Sequence, residues 1–79
     1  MDKRYGFLHT EYIDGEKDRV YKPIMVDSLE KAKDMYNYFD NRNKQNIIDG
    51  FKANHEIAIF DYEKMIYVNN NFRLFRRGE

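Results

Sequence analysis

The most strongly patterned stretch of the chain is residues 56–68, EIAIFDYEKMIYV, where two short apolar runs flank a polar connection. Ile57, Ala58, Ile59 and Phe60 form the first run, and Met65, Ile66, Tyr67 and Val68 the second. A four-residue link, Asp61-Tyr62-Glu63-Lys64, is a usual hairpin length, and β-branched and aromatic residues suit a pleated, packed surface. The pattern predicts a β-hairpin at the centre of a small sheet. Neither run alternates apolar with polar, so both faces of this ribbon carry apolar groups and need cover.

Upstream, residues 4–13 alternate as a strand should, with Phe7, His9, Glu11 and Ile13 on one face and Gly6, Leu8, Thr10 and Tyr12 on the other. Asp14-Gly15 is a hairpin signal, and the expected turn runs through Asp18 to a second strand over residues 19–26. Val20, Ile24 and Val26 are expected on one face of it, and Tyr21, Pro23 and Met25 on the other. Pro23 has no amide hydrogen to donate, which predicts an edge strand.

A helix is expected from Asp27 or Ser28, where Asp27 and Glu30 resemble a capping box. Leu29, Ala32, Met35 or Tyr36, and Phe39 keep helical spacing along one face. Asp40-Asn41 weakens the pattern, and residues 41–46 read as a polar loop. Residues 47–53 fit either a short helix, with Gly50 costing roughly 1 kcal/mol relative to Ala, or a loop tucked under the sheet. Three asparagines, Asn69, Asn70 and Asn71, suggest a turn, after which residues 72–76 could return as a last strand. The expected fold is therefore α+β: a small antiparallel sheet of four to five strands in ββαββ order, with one main helix packed on one face. The whole chain, residues 1–79, reads as a single α+β domain.

Composition narrows the function classes. Fourteen Lys plus Arg balance fourteen Asp plus Glu, so no global field steers the chain onto nucleic acid or an anionic membrane. The absence of cysteine removes a thiol nucleophile and a thiolate metal site, and it suits a reducing compartment. No export signal or membrane span is legible, which makes the expected location cytoplasmic. Only three Ala and one Pro occur among abundant Ile, Tyr, Asn, Lys and Asp, a bias typical of AT-rich coding sequences in low-GC bacteria and their phages.

Catalytic chemistry finds little support. A metal site would need His9 and His55 together with Glu11 or Glu56, and nothing in the spacing brings the two histidines together. Surface or partly packed histidines, with no metal and no cofactor, are the expectation. Ser28, the only serine, belongs to a helix cap rather than a nucleophilic triad. Asp14, Glu16 and Asp18 resemble the opening of a calcium loop, but Gly15 is misplaced and Met25 stands where the bidentate Glu belongs. The four glycines are scattered and build no phosphate loop.

Seven Tyr and six Phe are many for so small a core, and the helix can cover only one sheet face. Tyr36, Tyr38, Phe60, Tyr62, Tyr67 and Phe75 are therefore the candidate contact residues of a non-catalytic protein-binding module, its partner another protein or a second copy. The compositional bias suggests, as the concrete form, a phage or mobile-element protein that inhibits a host enzyme, such as a defence nuclease, by occluding it. The alternative is a nucleic-acid-binding module using Phe72, Arg73, Phe75, Arg76 and Arg77, whose rings and guanidinium groups could stack bases and neutralise phosphates.

Overall fold

The structure, a computed structural model, describes residues 3–50 and 53–71. Five antiparallel strands and one helix follow the order ββ(β)αββ: β1 (Tyr5–Ile13), β2 (Glu16–Val20), β3 (Ile24–Val26), α1 (Leu29–Asp49), β4 (Ala53–Asp61) and β5 (Ile66–Asn70). The sheet runs β2-β1-β4-β5, with β3 continuing the β2 edge alongside β1. This is the expected α+β arrangement, with a correction to what lies at its centre. The hairpin β4–β5 is not the centre; the longest ladder joins β1 to β4 over nine residue pairs, and β5 is an edge among the described strands.

Asp14 and Gly15 both take positive φ (55° and 81°), the geometry a two-residue turn needs to match the twist of its strands. β2 accordingly begins at Glu16, earlier than the polar residues suggest. The second strand breaks around Pro23, and the break changes its parity. Thr10 faces Val20, but Phe7 faces Ile24, so the register slips by one residue between β2 and β3. Tyr21 consequently joins Ile24 on the helix side of the sheet, reversing the facial assignment expected from simple alternation.

Ser28, not Asp27, caps α1: its Oγ accepts from the Lys31 amide at 3.2 Å, while Asp27 pairs with Lys31 Nζ at 3.0 Å. Replacing Ser28 with alanine is expected to cost about 1 kcal/mol, read as a lower urea midpoint at unchanged m-value. At the other end Gly50 takes φ 76° and donates its amide back to Ile47 O at 3.3 Å.

Residues 41–46 are helical, correcting the loop expected there. The physical reason lies in β4. Its first half, residues 53–57, precedes the β5 ladder, which starts at Ala58. The backbone groups on that side need other partners, and three asparagines supply them. Asn43 Nδ2 donates to His55 O (2.9 Å) and Asn43 Oδ1 accepts from His55 N (2.8 Å). Asn46 Nδ2 donates to Ala53 O (2.6 Å), and Asn71 Oδ1 accepts from Ile57 N (2.7 Å). Asn71 also donates its backbone amide to Ile57 O at 3.1 Å. Asn43 and Asn46 thus extend the inward face of Leu29, Ala32, Tyr36 and Phe39 as hydrogen-bonding rather than apolar residues. The helix ends by Gly50, with Ile47 and Ile48 exposed (70% and 76%), which settles residues 47–49 as its last turn. Asn69 and Asn70 belong to β5 rather than to a turn.

The core sits between α1 and one sheet face. Phe7, Ile57, Ile59 and Ala32 are buried there, and Phe39 stacks on Phe7 with centroids 5.7 Å apart. Each fully buried Phe or Ile contributes roughly 1.5–3 kcal/mol, which makes these side chains the main apolar stabilisation of so small a sheet. No helix among the described residues is long and apolar enough to cross a membrane.

Candidate functional site

The far face of the sheet, opposite α1, gathers an aromatic cluster. Phe60 and Tyr67 are paired across β4 and β5, with ring centroids 4.9 Å apart at 75°. Tyr62, from the connecting loop, meets Phe60 edge-on at 4.8 Å and 69°. The ring of Tyr62 lies against the backbone of Gly6, where an added Cβ would come within 2.6 Å of Tyr62 Cε2 and 3.3 Å of Met25 Sδ. Gly6 therefore provides the flat seat on β1 that brings the loop ring down beside the strand rings. Tyr62 and Tyr67 keep 40% and 48% of their surface exposed, and Met65 and Ile66 beside them are more exposed still.

The loop that carries Tyr62 is fastened at its base. Arg4 grips Asp61 in a two-point contact, Nε to Oδ1 and Nη2 to Oδ2, both 2.9 Å. Asp61 Oδ1 also accepts the amides of Glu63 and Lys64 at 3.0 and 3.2 Å, turning the chain toward β5. The guanidinium and these amides hold the Asp61 carboxyl down to about 2, against the opposing effect of burial.

On the helix side, the β1–β4 register brings the two histidines together. Glu11 faces His55 and His9 faces Ile57, so His9 and His55 are diagonal neighbours, and His9 Nε2 lies 2.8 Å from His55 Nδ1. The His9 ring stacks with Tyr21 (4.4 Å, 15°) and touches Phe39 (4.3 Å). Burial, reinforced by the charge of the other ring, lowers His9 to about 4. His55 is lowered too, chiefly by burial, with Arg42 adding to that and Glu11 opposing it. Both imidazoles are therefore neutral at pH 7, and the bond between them has one donor and one acceptor. That arrangement leaves one N–H and one lone pair at the outer ends of the pair, and exchanging them takes a change of tautomer in both rings. Among the described residues, no group of three or more His, Asp or Glu is placed to hold a metal ion.

The candidate contact residues divide between these two sides. Phe60, Tyr62 and Tyr67 come together on the far face, whereas Tyr36 and Tyr38 lie on α1. Tyr36 is half-buried and its phenol is raised by burial and by Asp40, while Tyr38 is 59% exposed. Phe75, and the alternative set Phe72, Arg73, Phe75, Arg76 and Arg77, lie outside the described residues. The histidine pair escaped the sequence reading because adjacency across 46 positions depends on register. The register that sets Phe7 opposite Ile59, both buried, is what brings the two rings together. The chain matches no protein-family model, and comparison with curated proteins and with solved structures finds no significant match.

Proposed function

We propose that the chain is a non-catalytic protein-binding module that adds an extended segment of a partner protein to the edge of β5. The supporting observation is the contrast between the two sheet edges among the described residues. The β2–β3 edge carries Glu16, Lys17, Asp18 and Arg19 and is broken at Pro23, all features that discourage strand addition. β5, with sequence IYVNN, has neither charge nor proline, and it borders the exposed Phe60–Tyr62–Tyr67 cluster. Backbone pairing would supply affinity, and alternate apolar side chains of the partner would pack against the three rings. Such a module acts by occlusion, and a host enzyme such as a nuclease is the target class that fits the compositional bias.

A photo-crosslinking residue at position 67 tests this. Benzoylphenylalanine in place of Tyr67 is expected to capture a discrete protein adduct in cells, and the same residue in place of Tyr38 is not. Ile66→Lys should abolish the position-67 adduct. Equal capture from 38 and 67, or none from 67, would remove the proposal, while an adduct of twice the chain's mass would identify the partner as a second copy.

A further inference from the structure

Between α1 and the sheet lies a cavity of about 470 Å³, within the range of roughly 300–1,000 Å³ typical of small-molecule sites. Phe7, Tyr21 and Phe39 line it with aromatic surface, Ile24 adds an aliphatic wall, and His9 and His55 supply its polar groups with Lys22. Two ring pairs there are stacked on each other: Phe7 with Phe39 (5.7 Å, 21°) and His9 with Tyr21 (4.4 Å, 15°). A guest therefore meets the edges and outer faces of rings already in contact with one another, and such aromatic surface favours a flat unsaturated guest, whose ring gains ring–ring contact that a saturated ring lacks. Lys22 is the one cationic side chain lining the cavity, and the ion pairs among the described residues fall on Arg4, Lys31 and Lys44 instead.

We propose that this cavity binds a small planar aromatic carboxylate, its ring lying among Phe7, Tyr21 and Phe39 and its charge set against Lys22. The imidazole pair is suited to the remaining polar contact, since a neutral pair presents one N–H to a carboxylate oxygen. A cationic guest is disfavoured by Lys22 and meets no carboxylate among the lining residues. A phosphate dianion calls for more positive charge than one lysine provides. The site is separate from the β5 edge and does not depend on the protein-binding reading.

The experiment is an amide and imidazole NMR titration of the full chain with 2-naphthoate, 2-naphthamide and cyclohexanecarboxylate. Naphthoate is expected to give saturable shifts at Phe7, His9, Ile24 and His55, and to bind roughly five- to tenfold tighter than the amide. Lys22→Met should erase that difference and leave amide binding unchanged, because Lys22 is exposed and its loss leaves the core intact. Ile24→Trp, also at an exposed edge position, should fill the cavity and abolish both titrations while the spectrum stays dispersed. The proposal is overturned by any of four results: no saturation below about 10 mM, equal affinity for acid and amide, equal affinity for the cyclohexane acid, or shifts confined to Phe60, Tyr62 and Tyr67.

Discussion

Replacing Asn43 with alanine is expected to cost about 0.5–2.5 kcal/mol of folding stability, a large share of the margin of a domain this small. The side chain is buried at 3% exposure and makes two hydrogen bonds to one residue of the central strand. After truncation His55 O retains the Asn71 amide at 3.2 Å, but His55 N loses its partner in a buried position. An unsatisfied buried amide costs about 1–3 kcal/mol, and the better helix propensity of alanine returns only about half a kcal/mol. Urea denaturation checks this, with exposed Asn41→Ala as the control expected to stay within about 0.5 kcal/mol of wild type. Equal midpoints for the two variants would mean that helix-borne amides are not what completes the edge of β4.

The second large effect is acid sensitivity. The unfolded His9 takes up its proton near pH 6.5 and the folded one near 4, so between those values the unfolded state binds more protons. Stability from this group is fully present above pH 6.5 and is lost as pH falls toward 4. The full linkage would be roughly 3 kcal/mol, and solvent screening at a half-buried ring reduces it to about 1–2 kcal/mol. His55, lowered in the same direction, adds to the slope below pH 6.5. Asp61 acts lower: its stabilisation is present above 3.8 and is lost as pH falls toward 2, so the two losses are resolved along the pH axis. Proton NMR of the imidazoles should place the His9 midpoint near 4, and His9→Phe should flatten the decline in stability between pH 6.5 and 4. A wild-type midpoint near 6.5, or an unchanged slope in the variant, would contradict the neutral pair.

The parts of this fold legible in the sequence are those set by local pattern. Alternation in β1, the Asp14-Gly15 turn, the edge position of Pro23 and the Leu29–Phe39 stripe each follow from spacing a few residues wide. Helix length was not legible, because Asn43 and Asn46 fill inward positions where apolar residues are expected, and their partners lie on a strand several residues further along. The parity change at Pro23 was hidden for a similar reason, since a one-residue slip leaves no trace in composition. At the candidate surfaces, the Phe60–Tyr67 pair follows from hairpin geometry alone. The histidine pair instead depends on which residue of β1 lies opposite which residue of β4, a relation fixed only by the assembled core.

The asparagine contacts along residues 53–57 have one more consequence. The stretch HEIAIF combines high strand propensity with apolar bulk, the kind of segment that seeds amyloid when its backbone is open to a second chain. In the folded molecule one flank of it is bonded to β1 and the other is occupied by side-chain amides from α1 and by Asn71. A nucleus of fibril growth therefore finds no vacant row there, and seeding from this segment has to wait for α1 to detach.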